Sequence, residues 1–270
     1  MHTIQHNRPD NLATLIDQLQ SSGRYTLTGN EALTELGITD VALTKAVQRL
    51  VAKRRLAVPR RGFFVIVPIE YRQAGAPPPD WYVDDLMASS KRPYYVGLLS
   101  AASLHGAAHQ QPQEFQIVTD RQLRPVAAGR GRIRFFTKRG MESTPVVDVK
   151  TETGLMRVST PEATALDLVR YLDAAGQLGH VATVLAELAE KMDPWRTEEA
   201  AKLDGSLPNA QRLGHLLDLV GAGDVGEGLA DWISERRPRY LALRSDQPAE
   251  SAPKKSRWRL LVNEKIEVEP

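Results

Sequence analysis

Hydrophobic positions near the N-terminus repeat with the spacing of a helix. Residues 11–22 predict an amphipathic helix that ends at Gly23. Its apolar stripe, at positions i, i+3, i+4 and i+7, consists of Leu12, Leu15, Ile16 and Leu19. One face of this helix is therefore expected to pack against a small hydrophobic core.

Two more helices are predicted directly after it. A short helix runs from 30 to 36 and is stopped by Gly37, the residue type favoured just beyond a helix C-terminus. Asp40 is then expected to cap a helix from Val41 to about Lys53. A short helix, a glycine turn and a longer helix form the order of a helix-turn-helix.

The next segment predicts a β-hairpin. Residues 55–59 and 63–67 are rich in β-branched and aromatic side chains, and the turn Arg60-Arg61-Gly62 separates them. A hairpin after a helix-turn-helix predicts a winged helix.

Three prolines in 72–80 remove amide donors and favour extended backbone, so this segment is expected to be a linker. The expected organisation is a winged helix-turn-helix domain in 1–71, the linker in 72–80 and a larger α/β domain in 81–270.

The remainder mixes helical and strand patterns. Pro161 directly after Thr160 is a strong signal for a helix start. The predicted helices lie near 81–90, 97–108, 161–171, 178–192, 208–220 and 226–235, and the predicted strands near 115–119, 132–136, 146–150, 155–158 and 258–263. The predicted fold class is α+β, with an N-terminal winged helix-turn-helix followed by a larger mixed α/β C-terminal domain.

Bulk properties narrow the class of protein. The chain has no cysteine, which excludes disulfides, thiolate zinc sites and cysteine nucleophiles. It shows neither the apolar core of a signal peptide nor the run of about 18 apolar residues that a membrane span needs. We therefore expect a soluble cytoplasmic protein with no membrane partner. The net charge is only +2, so the placement of the charges matters more than their sum.

The third predicted helix has two distinct faces. A projection at about 100° per residue directs Leu43, Val47, Leu50 and Val51 toward the core. The opposite face carries Val41, Lys45, Gln48, Arg49 and Ala52. Because a recognition helix needs long hydrogen-bonding side chains near base edges, we predict DNA base contacts from Lys45, Gln48 and Arg49.

Basic residues continue from this helix into the hairpin. Between Lys45 and Arg61 there are seven basic side chains and no acidic one. Such a run suits phosphate neutralisation on duplex DNA, although a solvated face of a protein-binding winged helix is the alternative. The predicted phosphate contacts are Lys53, Arg54, Arg55, Arg60 and Arg61.

A second basic run lies in the C-terminal part. Three of its arginines alternate with small or apolar residues, so on a strand they would share one face. The run is either a second nucleic-acid or phosphate surface, or a solvated sheet face whose charges protect an edge strand. The residues of this possible surface are Arg130, Arg132, Arg134, Lys138 and Arg139.

No sequence motif indicates catalysis. The chain has no G-x-S-x-G, no phosphate-binding loop of the Walker type and no H-E-x-x-H. His105 and His109 are four residues apart on a predicted helix, but no third ligand accompanies them. Glu162 in the first turn of a helix suits the helix dipole. We predict no catalytic residue, no metal and no cofactor.

Several segments, taken together and in order, resemble the AbiEi family of antitoxins from type IV toxin-antitoxin and abortive-infection systems. The carriers of the resemblance are the winged-helix start with Leu36-Gly37 and the segments 94–106 (YYVGLLSAASLHG), 158–169 (VSTPEATALDLV) and 258–263 (WRLLVN). The resemblance covers nearly the whole chain.

This resemblance implies a transcriptional autorepressor. Its winged helix would bind inverted repeats of double-stranded DNA in its own promoter, and its C-terminal domain would counter a nucleotidyltransferase-like toxin without a stable complex. The residues themselves leave two alternatives open. One is an enzyme that acts on nucleic acid or nucleotides, with Arg130, Arg132 and Arg134 holding phosphate; the other is a winged-helix scaffold for protein interactions.

Overall fold

The computed structural model describes residues 9–107 and 112–266. The chain divides into two compact units. The first contains the residues up to Tyr94 together with 122–135 and 148–156, and the second contains 95–121, 136–147 and the residues from 157 onward. In the described part of the chain, no helix has both the length and the apolar character that crossing a membrane requires.

The N-terminal elements form a winged helix. In chain order they are α1 (Leu12–Ser21), β1 (Thr26–Thr28), α2 (Gly29–Leu36), α3 (Asp40–Ala52), β2 (Leu56–Arg60) and β3 (Phe63–Ile66). The three strands pair antiparallel in the order β1-β3-β2. A two-residue turn at Arg61-Gly62 joins β2 to β3, and Gly62 adopts a φ of +76°, which a glycine tolerates without strain.

Side-chain caps fix where the helix-turn-helix begins and turns. Thr28 and Glu31 form a reciprocal capping box at the start of α2. The cap of α3 is Thr39, whose side-chain oxygen accepts from the amide of Ala42 at 3.3 Å. The predicted cap, Asp40, is instead the first helical residue, where its charge suits the helix N-terminus.

The core of the winged helix confirms most of the predicted pattern. Leu43, Val47 and Leu50 of α3 are buried, as expected. The prediction for Val51 is wrong, because its side chain is 40% exposed. Val51 lies about 80° from Leu43 around the helix axis, at the margin of the stripe, and α3 ends one residue later.

The middle of the chain builds a six-stranded sheet. The six strands are β4 (Tyr94–Val96), β5 (Phe115–Thr119), β6 (Val126–Ala128), β7 (Gly131–Thr137), β8 (Val146–Lys150) and β9 (Leu155–Ser159). Two helices of the same part of the chain are α4 (Val83–Ser89), which precedes β4, and α5 (Leu98–Leu104), which follows it. The strand order is β6-β7-β5-β4-β9-β8. β6 and β7 form an antiparallel hairpin, whereas β4 and β9 are parallel neighbours.

Helices dominate the rest of the second unit. They are α6 (Pro161–Arg170), α7 (Gln177–Leu188), α8 (Pro194–Asp204), α9 (Leu207–Leu219) and α10 (Glu227–Arg236). A small sheet follows, with β10 (Leu241–Ala242), β11 (Lys254–Lys255) and β12 (Leu260–Leu261) in the order β10-β12-β11. Side chains from α5 to α10 pack into one large core around residues such as Leu166, Leu185 and Leu213.

The proline-rich segment 72–80 packs inside the first unit. Its Ala76 side chain is buried, and a Cβ on Gly129 would lie 2.2 Å from the carbonyl oxygen of Ala74. The Arg130 amide donates to the same carbonyl at 2.9 Å. By contacts, the first unit continues through this segment to Tyr94. The predicted division of the chain therefore stays a prediction. It consists of an independently folding winged helix in 1–71, a linker in 72–80 and a domain in 81–270.

Candidate nucleic-acid interface

The exposed face of α3 carries the three side chains predicted to contact bases. Lys45, Gln48 and Arg49 are all exposed. They are held outward because Leu43, Val47 and Leu50 anchor the opposite face of the same helix in the core. The helix therefore presents two long cationic donors and one amide on a single rigid element.

A groove with a volume of about 810 Å³ runs beside α3. Residues from α2, from α3 as far as Gln48, and from β2, β3 and the turn between these strands line it. Gln48 of α3 and Arg61 of the turn both belong to this lining. The side chain predicted to contact a base and the one predicted to contact a phosphate therefore share one surface.

The five residues predicted to contact phosphate fall into two groups. Lys53 and Arg54 are exposed at the end of α3, and Arg61 is exposed in the turn. Arg55 is half-buried and forms an ion pair with Asp17 of α1. The Arg60 side chain, also half-buried, donates a hydrogen bond to the Ser90 hydroxyl.

Three arginines of the second basic run lie in the first unit, together with the winged helix. Arg130 precedes β7, and Arg132 and Arg134 lie on it; all three are exposed. Ile133 and Phe135 of the same strand are buried, so the alternation is as predicted. β6, the partner of β7 in the hairpin, packs against β2 of the winged helix.

Lys138 does not belong to a basic surface. Phe135 and Phe136 are buried in succession, which reverses the inward and outward alternation, and Lys138 is only 3% exposed. Its Nζ atom lies 3.1 Å from Oδ1 of Asp167 and 2.9 Å from Oδ1 of Asp204. Burial of the ammonium group is tolerated because both carboxylates pair with it. Arg139, the next residue, is exposed in the second unit.

The two carboxylates extend a buried network that the sequence did not reveal. The Tyr95 hydroxyl donates to Oδ2 of Asp167 at 2.8 Å. Arg170 donates to both oxygens of Asp204, at 2.9 and 2.8 Å. Burial and the adjacent Asp167 charge raise the pKa of Tyr95. The network contains two positive side chains, of Lys138 and Arg170, and two negative ones, of Asp167 and Asp204. These residues are far apart in sequence, so no local sequence pattern indicated the network.

No metal centre is formed by the part of the chain that the structure describes. The Nε2 atom of His105 lies 2.7 Å from the carbonyl oxygen of Ser159. His109 lies outside the described residues. Glu162 is buried, and its Oε1 accepts from the Asp193 amide at 3.1 Å just before α8. The Glu162 side chain therefore fixes the backbone just before the start of α8.

Comparison with known proteins finds a family match for one part of the chain. Residues 95–219 match the family model of the AbiEi antitoxin C-terminal domain. No curated protein matches the sequence. The crystal structure of the RV2827C protein from Mycobacterium tuberculosis is similar in fold, with a TM-score of 0.64 and 16% sequence identity. That likeness covers 91% of this chain and 89% of the mycobacterial one.

Two of the sequence segments that carry the resemblance lie in the matched region, apart from residue 94 at its edge. Residues 94–106 contain β4 and α5, and residues 158–169 contain the end of β9 and most of α6. These strands are parallel neighbours in the sheet, with Val96 paired to Val158. Residues 95–219 of this chain, a little under half of its length, therefore resemble the C-terminal domain of AbiEi antitoxins.

Proposed function

We propose that the protein is a DNA-binding autorepressor and antitoxin of a type IV toxin-antitoxin system. The AbiEi antitoxin domain in residues 95–219 supports the antitoxin role. The winged helix would bind operator repeats in the promoter of the protein's own operon. The C-terminal domain would counter a nucleotidyltransferase-like toxin in the cytoplasm, without a stable complex and without catalysis by the antitoxin itself.

The observation that carries the DNA-binding part is the exposed face of α3. Arg and Lys form their best base contacts with guanine O6 and N7, and Gln forms a bidentate pair with adenine. Arg49, Lys45 and Gln48 are exposed on one helix of the size that enters a major groove. We therefore assign the reading of sequence to these three residues.

Basic residues next to α3 would supply the sequence-independent part of the affinity. Lys53, Arg54 and Arg61 are exposed, and Arg55 and Arg60 are half-buried beside them. Arg130, Arg132 and Arg134, in the same unit, provide a candidate extension of the phosphate-binding surface. Each phosphate that such a side chain neutralises releases counterions, so binding should weaken steeply with salt.

A promoter-reporter assay combined with a growth assay tests both activities in cells. The wild-type protein should repress a reporter driven by its own upstream region and should restore growth when the adjacent toxin is expressed. A triple variant, Lys45→Ala, Gln48→Ala and Arg49→Ala, should lose repression but keep the rescue of growth. If the triple variant represses as well as the wild type, the assignment of α3 as the reading helix is wrong; if the wild type does not restore growth, the antitoxin assignment is wrong.

A further inference from the structure

A second cleft adjoins the groove beside α3. It has a volume of about 550 Å³, and four residues line both cavities: Gly29, Asn30, Arg61 and Gly62. The start of α2 and the turn of the wing therefore form a wall common to the two. A ligand that follows α3 along its groove and passes this wall would arrive at the second cleft.

Three arginines line this second cleft. Arg60 and Arg61 come from the wing, and Arg92 comes from the loop after α4, outside both the helix-turn-helix and the wing. None of the lining residues is acidic. The cleft is therefore a concave site with a strong excess of positive charge.

The Ser90 hydroxyl fixes one of these arginines at the cleft. Ser90 accepts a hydrogen bond from Nη1 of Arg60 and donates one to the carbonyl oxygen of Leu86 at 3.0 Å. A guanidinium that is held by one nitrogen keeps its remaining N–H groups in a fixed orientation. The hydroxyl-bearing residues Ser89 and Thr28 also line the cleft. Because these hydroxyl groups already donate their protons within the protein, the guanidinium groups are the donors that would contact phosphate oxygens.

We infer that this cleft holds backbone phosphates of the duplex that α3 reads, and that Arg92 is a phosphate-contact residue. The inference rests on the proposed function and adds a site to it. A backbone phosphate is favoured as the occupant because the cleft shares a wall with the groove of α3, where the same duplex would already lie. Contacts of this kind position a protein on DNA without reading its sequence.

Replacement of Arg92 in the full-length protein tests the inference. Binding is measured on the protein's own upstream duplex and on a scrambled duplex across a salt series. Arg92→Gln should weaken both by a similar factor, about three- to tenfold, and lower the salt slope by about one. Lys91→Gln is the matched control, because Lys91 is exposed and adjacent but does not line the cleft. It should change affinity less than twofold.

Two further variants keep the result interpretable. Arg92→Lys retains the charge and should recover most of the affinity, so a loss caused by misfolding would be recognised. Ser90→Ala removes the hydroxyl that orients Arg60 and should weaken both duplexes in the same manner as Arg92→Gln.

Several results would overturn the inference. If the wild type binds its upstream duplex specifically while Arg92→Gln behaves like Lys91→Gln, the inference fails and the proposed function stands. If the wild type binds neither duplex, the proposed function fails and the inference fails with it. Thermal stabilisation by micromolar adenosine monophosphate or inorganic phosphate that disappears in Arg92→Gln would identify a free-phosphate site instead of a DNA contact. No such stabilisation, together with the expected loss of DNA affinity, supports the inference.

Discussion

Lys138 and Asp167 form an ion pair in the interior of the second unit, with Nζ 3.1 Å from Oδ1 and side-chain exposures of 3% and 0%. Asp204 receives the same ammonium group at 2.9 Å and is balanced in turn by Arg170. Because each of the four charges has an opposite partner, the network can be buried without leaving an isolated ion. Removal of one member should therefore lower the free energy of unfolding, because a buried charge is left without its partner.

Replacement of the central lysine should destabilise the protein strongly. Lys138→Met leaves two buried carboxylates with only one cation, and we expect a loss of about 3–5 kcal/mol in the free energy of unfolding. Urea denaturation measures it. The control is Arg139→Met, a neighbouring exposed residue, which should change stability by less than about 0.5 kcal/mol. Equal effects of the two substitutions would show that Lys138 is not in a buried network.

Acid should weaken the contribution of Asp204. Burial alone would raise the pKa of this carboxyl, but Lys138 and Arg170 together hold it below the ordinary value of 3.8. Its stabilising contribution is therefore present above pH 3.8 and is lost as the pH falls through the lower pKa of the folded state. We expect the difference in unfolding free energy between wild type and Asp204→Asn to be largest near neutral pH and to shrink below about pH 4.

The comparison with Asp204→Asn is needed because a second carboxyl acts in the opposite direction. Burial raises the pKa of Asp167, and Lys138 and Tyr95 offset this only in part. The wild-type pH profile alone would therefore mix the two effects. A difference between the two proteins that grows as the pH falls would contradict the pairing of Asp204 with Lys138 and Arg170.

A close contact in the second unit should make one glycine hard to replace. A Cβ on Gly214 of α9 would lie 2.1 Å from Cζ3 of Trp258, whose side chain is fully buried. Gly214→Ala should lower stability by about 3 kcal/mol or more, although alanine usually stabilises a helix. Gly205→Ala is a useful comparison, since nothing lies near a Cβ there and only the cost of its positive φ applies. If Gly214→Ala is as stable as the wild type, Trp258 is not packed on α9.

Local sequence patterns predicted the elements in which buried and exposed positions follow a regular spacing or a turn or cap residue marks the boundary. The apolar stripe of α3, the hairpin turn at Gly62 and the start of α6 at Pro161 were each predicted from neighbouring residues. β8 has the predicted bounds, 146–150. These features depend on periodicity, turn chemistry and caps, which act over a few residues.

Features that depend on distant partners could not be predicted in this way. α8 is a helix that the sequence pattern did not indicate, because its buried face consists of small or polar residues, Thr197, Ala200 and Ala201. Lys138 was grouped with surface residues because its carboxylate partners are far away in sequence. Arg92 lies outside both basic runs, and only the folded chain brings it to the same cleft as Arg60.

The contact of Trp81 with the winged helix gives a test of the domain boundary. Its ring packs edge-on against Tyr25 at a centroid distance of 5.0 Å and against Tyr71 at 5.3 Å. We expect Trp81→Ala to lower the melting temperature of the first unit, with a loss of about 2–3 kcal/mol. Trp195→Ala is the control, since Trp195 is 67% exposed, and it should be close to neutral.

The same contact leads to an expectation for fragments. A fragment that ends at residue 94 should unfold at a higher temperature than one that ends at residue 71. Equal stability of the two fragments would support a self-sufficient domain in 1–71 and a linker in 72–80.

The roles assigned to α3 and the wing can be separated by two substitutions. Arg49→Ala should reduce discrimination between cognate and scrambled duplex by about 1–3 kcal/mol, since it removes a base contact. Arg61→Ala should weaken both duplexes alike and lower the salt slope by about one, since it removes a phosphate contact. If both variants affect the two duplexes equally, the assignment of roles is wrong.

The most direct test of the central claim is equilibrium binding of the wild-type protein to its own upstream DNA and to a scrambled duplex, over a salt series. A specific autorepressor should prefer the upstream duplex by a factor of roughly a thousand or more. Equal and steeply salt-dependent binding to both duplexes would contradict sequence reading by α3 and leave the winged helix as a non-specific anchor.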